Sequence, residues 1–219
     1  MQAFRTIQSR LAHPVTWLFY GDSITHGIVH TFGARSFSEH FNERVRFELD
    51  RQDDVVINTA FSGYTTRQLL LHFPARVARF RPDVVLLMAG LNDCNHDPAD
   101  GQLVPLDEFR ANLLAMIAAV RDWGGDVVLQ TSTPVLAGLI PARSLHLPAY
   151  NDCVRTLAAE TGAPLVDHAR VWERQDNGWL YADVYHPNAH GHLLLARTLF
   201  GALGLGQPAA ASERFFVPG

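Results

Sequence analysis

The stretch WLFYGDSITHG, residues 17–27, decides the reading of this chain. Four apolar or aromatic residues, Trp17 to Tyr20, have the look of a buried strand running to its end. Gly21, Asp22 and Ser23 follow at once, and Gly27 comes four residues later. Gly, Asp and Ser are ordinary turn formers, so the stretch by itself is consistent with a plain strand terminus. It is equally consistent with a nucleophilic Ser23 carried on a tight turn after a stiff element. The rest of the chain has to choose between the two.

Outward from this stretch, short apolar runs recur at Val15–Tyr20, Val55–Asn58, Val84–Met88, Val127–Gln130 and Leu165–Val166. Each reads as a short buried strand. Segments with helical spacing lie between them. Phe37, Phe41, Val45 and Leu49 recur every four residues, and Phe109, Leu113, Met116, Ile117 and Val120 form one stripe with Gly124 as its stop. Segments 65–80 and 148–161 also read as helices, and a last helix begins near Pro187 with a leucine-rich face. Regular alternation of strand and helix predicts an α/β fold with a parallel five-stranded sheet covered on both faces, because parallel neighbours need crossovers. No repeat or linker divides residues 1–219, so a single domain is expected, with the tail 203–219 lying over the surface.

Composition narrows the function classes. The chain is 47% hydrophobic and 18% charged, which supplies a core and argues against disorder. The net charge is −4 and no run of basic residues occurs, so no nucleic-acid partner is expected. No apolar run is long enough to span a bilayer, and the first 15 residues lack a signal-peptide core, so no membrane partner and a cytoplasmic location are expected. Cys94 and Cys153 read as two buried thiols rather than a bridge.

In open α/β sheets, ligands bind beyond the carboxyl ends of the strands. Four chemistry-bearing blocks fall there: GDS after the first strand, NTAFSGYTT after the second, GLND after the third and DVYHPN before the last helix. Singly, each has a bland reading: Gly63 for loop freedom, Asn92 as a cap, Asp183 at a helix entry. Together they fill every role in acyl transfer once. Ser23 supplies the hydroxyl, His186 the base and Asp183 the group that orients it. The Ser23 N–H, the Gly63 N–H and the Asn92 side-chain amide supply an oxyanion hole. Asp22 reads as a turn-holding carboxylate rather than a chemical group.

With FYGDSITHG, NTAFSGYTT, GLND and DVYHPNAHGH in order, the sequence resembles the SGNH hydrolases, also called the GDSL family. The resemblance covers residues 17–195. It implies a flavodoxin-like three-layer αβα sandwich, and Ser23, Asp183 and His186 as the catalytic set. It further implies Gly63 and Asn92 in the oxyanion hole, and no metal or other cofactor. Two departures stand out: Ile24 replaces a leucine after the serine, and Ala60 stands where many relatives carry an earlier glycine. The family reading is a serine esterase acting on a small-molecule ester, with short acyl groups on small alcohols or sugars. A lysophospholipase or a thioesterase of the same family is the alternative.

Two rival readings use fewer of these residues. His186 and His190 are four apart, as in zinc-binding helices, but the glutamate expected between them is absent. A flavin- or phosphate-binding module would leave Asn92, Asp183 and His186 idle. Finally, TPVLAGLIPARSLHLP, residues 133–148, reads as a loop or short turn bracketed by Pro134 and Pro141. Its Val135, Leu136, Leu139 and Ile140 either fold onto the core, wall the acyl pocket through Leu136 and Leu139, or meet a second subunit in a homo-oligomer.

Overall fold

A computed structural model describes residues 2–136, 139–174, 178–207 and 209–214. It begins with helix α1 (Gln2–Arg10), followed by β1 (Thr16–Gly21), α2 (Ser23–His26) and α3 (Phe37–Glu43). Then come β2 (Val55–Asn58), α4 (Thr66–Arg76), β3 (Val84–Met88), α5 (Leu106–Asp122) and β4 (Asp126–Gln130). The chain continues through α6 (Pro141–Ser144), α7 (Leu147–Thr161), β5 (Leu165–Val166), α8 (His168–Trp172) and α9 (Ala189–Leu203). The five strands form one parallel sheet in the order β2-β1-β3-β4-β5. All five carboxyl ends therefore open on the same edge.

The side chains of β1 show how helices cover both faces. On one face Trp17 and Phe19 meet Phe41 edge-on, and Phe19 also meets Phe37, so α3 is pinned to the sheet. On the other face Tyr20 meets Phe73 of α4 and donates its hydroxyl to the Leu69 carbonyl at 2.6 Å. Each such aromatic pair adds roughly 0.5–1.5 kcal/mol beyond the apolar area it buries. α9 packs against α1, α3 and α8, while α5 packs against α4 and α7. The result is a three-layer αβα sandwich. The amino end of β1 is held by the buried Asp54 carboxylate, which accepts from Val15 N–H and the Trp17 indole.

Three local expectations need correcting. β2 is not buried: Val55 is 48% exposed, because this strand lies at the edge of the sheet and has one neighbour. The helix expected to run from Phe37 through Leu49 changes pitch, with Arg44–Glu48 forming a π-turn that ends at Leu49. There the Arg44 guanidinium turns inward to the Leu205 carbonyl. Pro187 stands outside the last helix, which starts at Ala189 behind Asn188. The Asn188 side chain accepts from His190 N–H and Gly191 N–H. Among the described residues of the tail, Leu205, Ala210, Ser212 and Glu213 are buried. The tail is held where the Ser212 hydroxyl meets Glu48 and where Arg197 donates to the Glu213 carbonyl. Cys94 and Cys153 are free thiols, but only Cys94 is buried; Cys153 is half-buried. No helix among the described residues is long and apolar enough to cross a membrane.

Candidate active site

Sterics place Ser23. Gly21 ends β1 opposite Met88, and a Cβ added there would lie 2.2 Å from the Met88 carbonyl oxygen. Glycine alone allows β1 to approach β3 this closely and turn into α2. Asp22 caps the turn: its carboxylate accepts the Ile24 N–H at 3.0 Å. That carboxyl is fully buried, and burial pushes its pKa up to about 7. Ser23 is thus the first residue of α2, where backbone N–H groups have no intrahelical acceptor.

Hydrogen bonds place His186. Asp183 accepts from the N–H groups of Tyr185 and His186 at 2.9 and 2.8 Å, closing a tight turn. Its second oxygen meets His186 Nδ1 at 2.7 Å. An ionised carboxylate can only accept, so Nδ1 carries the proton and Nε2 presents a lone pair. That Nε2 lies 2.9 Å from Ser23 Oγ. Burial, aided by His30 and Arg143, lowers the His186 pKa against the opposing effect of Asp183. Burial also pushes the Asp183 carboxyl up, but the two N–H groups and the His186 ring together hold it below the ordinary carboxylate range.

Gly63 and Asn92 come from the next two strand ends. Gly63 has φ +82°, a left-handed backbone that glycine adopts without strain, although a Cβ there would meet nothing. Its neighbours are tied in opposite directions. Ser62 bonds to His26 Nδ1 on α2, and the Tyr64 carbonyl accepts from Asn92 Nδ2 at 2.9 Å. The Gly63 loop is therefore fixed between the serine turn and Asn92. Ala60 is accommodated, buried with its N–H on the Asn58 side chain.

Sequence reading missed two side chains here. The His30 ring stacks on His186, centroids 3.6 Å apart at 11°, with its Nε2 3.7 Å from Asp183 Oδ2. Arg143 is buried and donates to Asn92 Oδ1 at 3.1 Å. His30 stands three residues beyond the quoted serine block, seven after Ser23, and no spacing rule singles it out.

His30, Asp183 and His186 are a group of metal-ligand types among the described residues, with one donor atom each within 4.8 Å. They do not fit a tetrahedral ion. The two imidazoles lie nearly parallel, so their in-plane lone pairs run side by side, and both His186 nitrogens already face Ser23 and Asp183. His190 does not share a helical face with His186, which precedes the helix; its exposed ring stands edge-on to Trp179 instead. His192 is buried and accepts the Phe37 N–H, a packing role.

Leu136 and Leu139 diverge. Leu136 is partly buried against the core, and its N–H bonds to the Val184 carbonyl beside Asp183. Leu139 is 59% exposed. Val135 is buried and Ile140 packs on the core, so much of this apolar cluster does fold inward. Ala137 and Gly138 lie outside the described residues. Pro141–Ser144 forms a single helical turn, in keeping with a loop or short turn.

The family model for the GDSL-like lipase/acylhydrolase family matches residues 19–194. The chain belongs to that family. An acetylxylan esterase of Geobacillus stearothermophilus is 27% identical over 203 residues, 85% of this chain and 93% of its own length. The crystal structure of an acetylxylan esterase from that organism superposes with a TM-score of 0.73 at 25% identity, covering 87% of this chain and 94% of the other. Solved structures of it include catalytic mutants in which a serine, an aspartate or a histidine is replaced by alanine. An alpha/beta hydrolase enzyme from the metagenome of Lake Arreo, Spain, has the same fold, with a TM-score of 0.75 at 23% identity and coverage of 87% and 95%. The sandwich of this GDSL-family chain is thus the one its motifs imply.

Proposed function

We propose that this chain is a serine esterase that hydrolyses small carboxylic esters through an acyl-enzyme, with acetyl groups on sugars or small alcohols as its substrate class. The hydrogen-bonded row from Asp183 through His186 to Ser23, at 2.7 and 2.9 Å, carries this reading. In it, His186 Nε2 takes the Ser23 proton as Oγ attacks the ester carbonyl. The oxyanion is received by the N–H groups of Ser23 and Gly63 and by Asn92 Nδ2. His186 then hands its proton to the departing alcohol. Water, activated by the same imidazole, releases the acid and regenerates Ser23. Asp183 keeps the tautomer and stabilises the imidazolium without accepting the proton.

The acetyl preference is supported by the acetylxylan esterase relative, aligned over 93% of its length. In that enzyme the aspartate and histidine replaced in the catalytic mutants are three positions apart, the spacing of Asp183 and His186. The test is a panel of nitrophenyl esters from acetate upward and then acetylated sugars, run on the wild type and on Ser23→Ala. Turnover should be highest on acetyl substrates and should fall more than about 100-fold in the variant. Residual activity above that level, or no ester turnover by the wild type, overturns the reading.

A further inference from the structure

Arg143 is a buried cation whose ion pair, with Asp100, is long and solvent-facing. Its side chain is 7% exposed, and the Asp100 carboxylate near it is 3.8 Å away and itself 53% exposed. The guanidinium bonds neutral oxygens: Nη1 donates to the Leu91 carbonyl at 2.9 Å and to Asn92 Oδ1 at 3.1 Å, and Nη2 donates to Gln102 Oε1 at 2.8 Å. Its carbon lies 5.0 Å from the centre of the Tyr185 ring, immediately before His186. Gln102 in turn donates to the Gly63 carbonyl at 3.4 Å. One guanidinium thus meets the turn after β3, the His186 loop and, through Gln102, the Gly63 loop.

Burying a charge on neutral acceptors is costly, and an apolar side chain of similar volume would serve packing better. The expense is intelligible from what Arg143 does to Asn92. With Oδ1 held by a cation, the amide has one orientation and Nδ2 must point the other way. One Nδ2 hydrogen is taken by the Tyr64 carbonyl. The other is left for the site, on an amide whose N–H groups are made better donors by the charge on its oxygen. We infer that Arg143 is a positioning residue that orients and polarises the Asn92 amide as an oxyanion donor. The inference rests on the role proposed above for Asn92.

A double-mutant cycle on nitrophenyl acetate tests it, with kcat and KM measured for Asn92→Ala, Arg143→Met and the pair. Asn92→Ala should lower kcat by about 100-fold, the usual effect of one lost oxyanion donor. Arg143→Met should lower kcat by about 10- to 100-fold with KM within about threefold, since it acts through a transition-state contact. In the Asn92→Ala background the same change should cost less than about threefold more, because its target is gone. Losses that multiply overturn the inference while leaving Asn92 as donor. An unchanged kcat in Asn92→Ala overturns the donor role itself, and the two failures are told apart. Arg143→Lys keeps the charge but not the fork, and should retain an intermediate kcat. If Arg143→Met does not fold, the lysine variant takes its place in the cycle, and a wild-type kcat there overturns the inference.

Discussion

The serine and the histidine of this site are held by different means. Ser23 rides on a steric framework: β1 is buried on both faces, Gly21 lies against the Met88 carbonyl, and Asp22 is fully enclosed. His186 rides on a hydrogen-bond framework. Its loop is held by Asp183, by Ala182 N–H on the His186 carbonyl, and by Asn188 N–H on the Leu180 carbonyl, while Asp183 itself is 40% exposed. The difference separates stability from chemistry. Damage to the first framework should unfold the protein, whereas damage to the second should leave a folded protein that turns over poorly.

Within the hydrogen-bond framework around His186, the largest expected effect on chemistry comes from Asp183→Asn. The amide oxygen can still accept the Tyr185 and His186 N–H groups, but an N–H₂ now faces His186 Nδ1 and favours the wrong tautomer. kcat/KM should fall by about 10³- to 10⁴-fold with the melting temperature nearly unchanged. A comparable loss of stability would erase the contrast between the two frameworks. Gly21→Ala is the mirror case. Its Cβ would meet backbone at 2.2 Å and side-chain oxygen at 2.7 Å, so a loss of about 3 kcal/mol or more in denaturant unfolding is expected. A variant of wild-type stability would show that β1 is less tightly seated than the geometry requires.

Smaller effects sharpen the contrast. His186 must be neutral to act as a base, so kcat/KM should rise with pH and then level off. Burial, with His30 and Arg143 nearby, lowers the His186 pKa from 6.5, so the midpoint should fall below that value. A flat profile from about pH 5 to 8 on a chemistry-limited ester would remove His186 from the role of base. The smallest effects concern the apolar loop. If Leu136 walls the acyl pocket, Leu136→Ala should shift preference toward longer acyl chains by a few-fold, at some cost in stability. Leu139→Ala should move acyl preference or oligomer mass without that cost, because the side chain is already exposed. If only melting temperature moves in both, the cluster serves the core alone.

Much of this fold is legible in the sequence because it is written in local patterns. Val84–Met88 and Val55–Asn58 are strands with the boundaries that their apolar runs suggest. What periodicity cannot supply is the order of strands in the sheet. VVIN reads the same whether its strand is central or, as here, at an edge. The π-turn at Arg44–Glu48 escapes a four-residue spacing for the same reason: it answers a tertiary contact, the Arg44 guanidinium on the Leu205 carbonyl. At the site, the four motif blocks stand out by residue type and order. Arg143 does not. It is a single arginine in an apolar loop, and its meaning depends on the fold bringing that loop against the turn that carries Asn92. His30 is similarly silent until its ring is seen on His186.

The most direct measurement of whether Ser23 is the nucleophile is covalent capture. The protein would be treated with a nitrophenyl alkylphosphonate, followed by intact-mass analysis and peptide mapping, in the wild type, Ser23→Ala and Asp183→Asn. One adduct on the peptide containing Ser23 is expected, with stoichiometric loss of esterase activity, slower labelling in Asp183→Asn and no adduct in Ser23→Ala. An adduct on any other residue that accompanies inactivation, or full labelling of Ser23 with esterase activity intact, would contradict a nucleophilic Ser23.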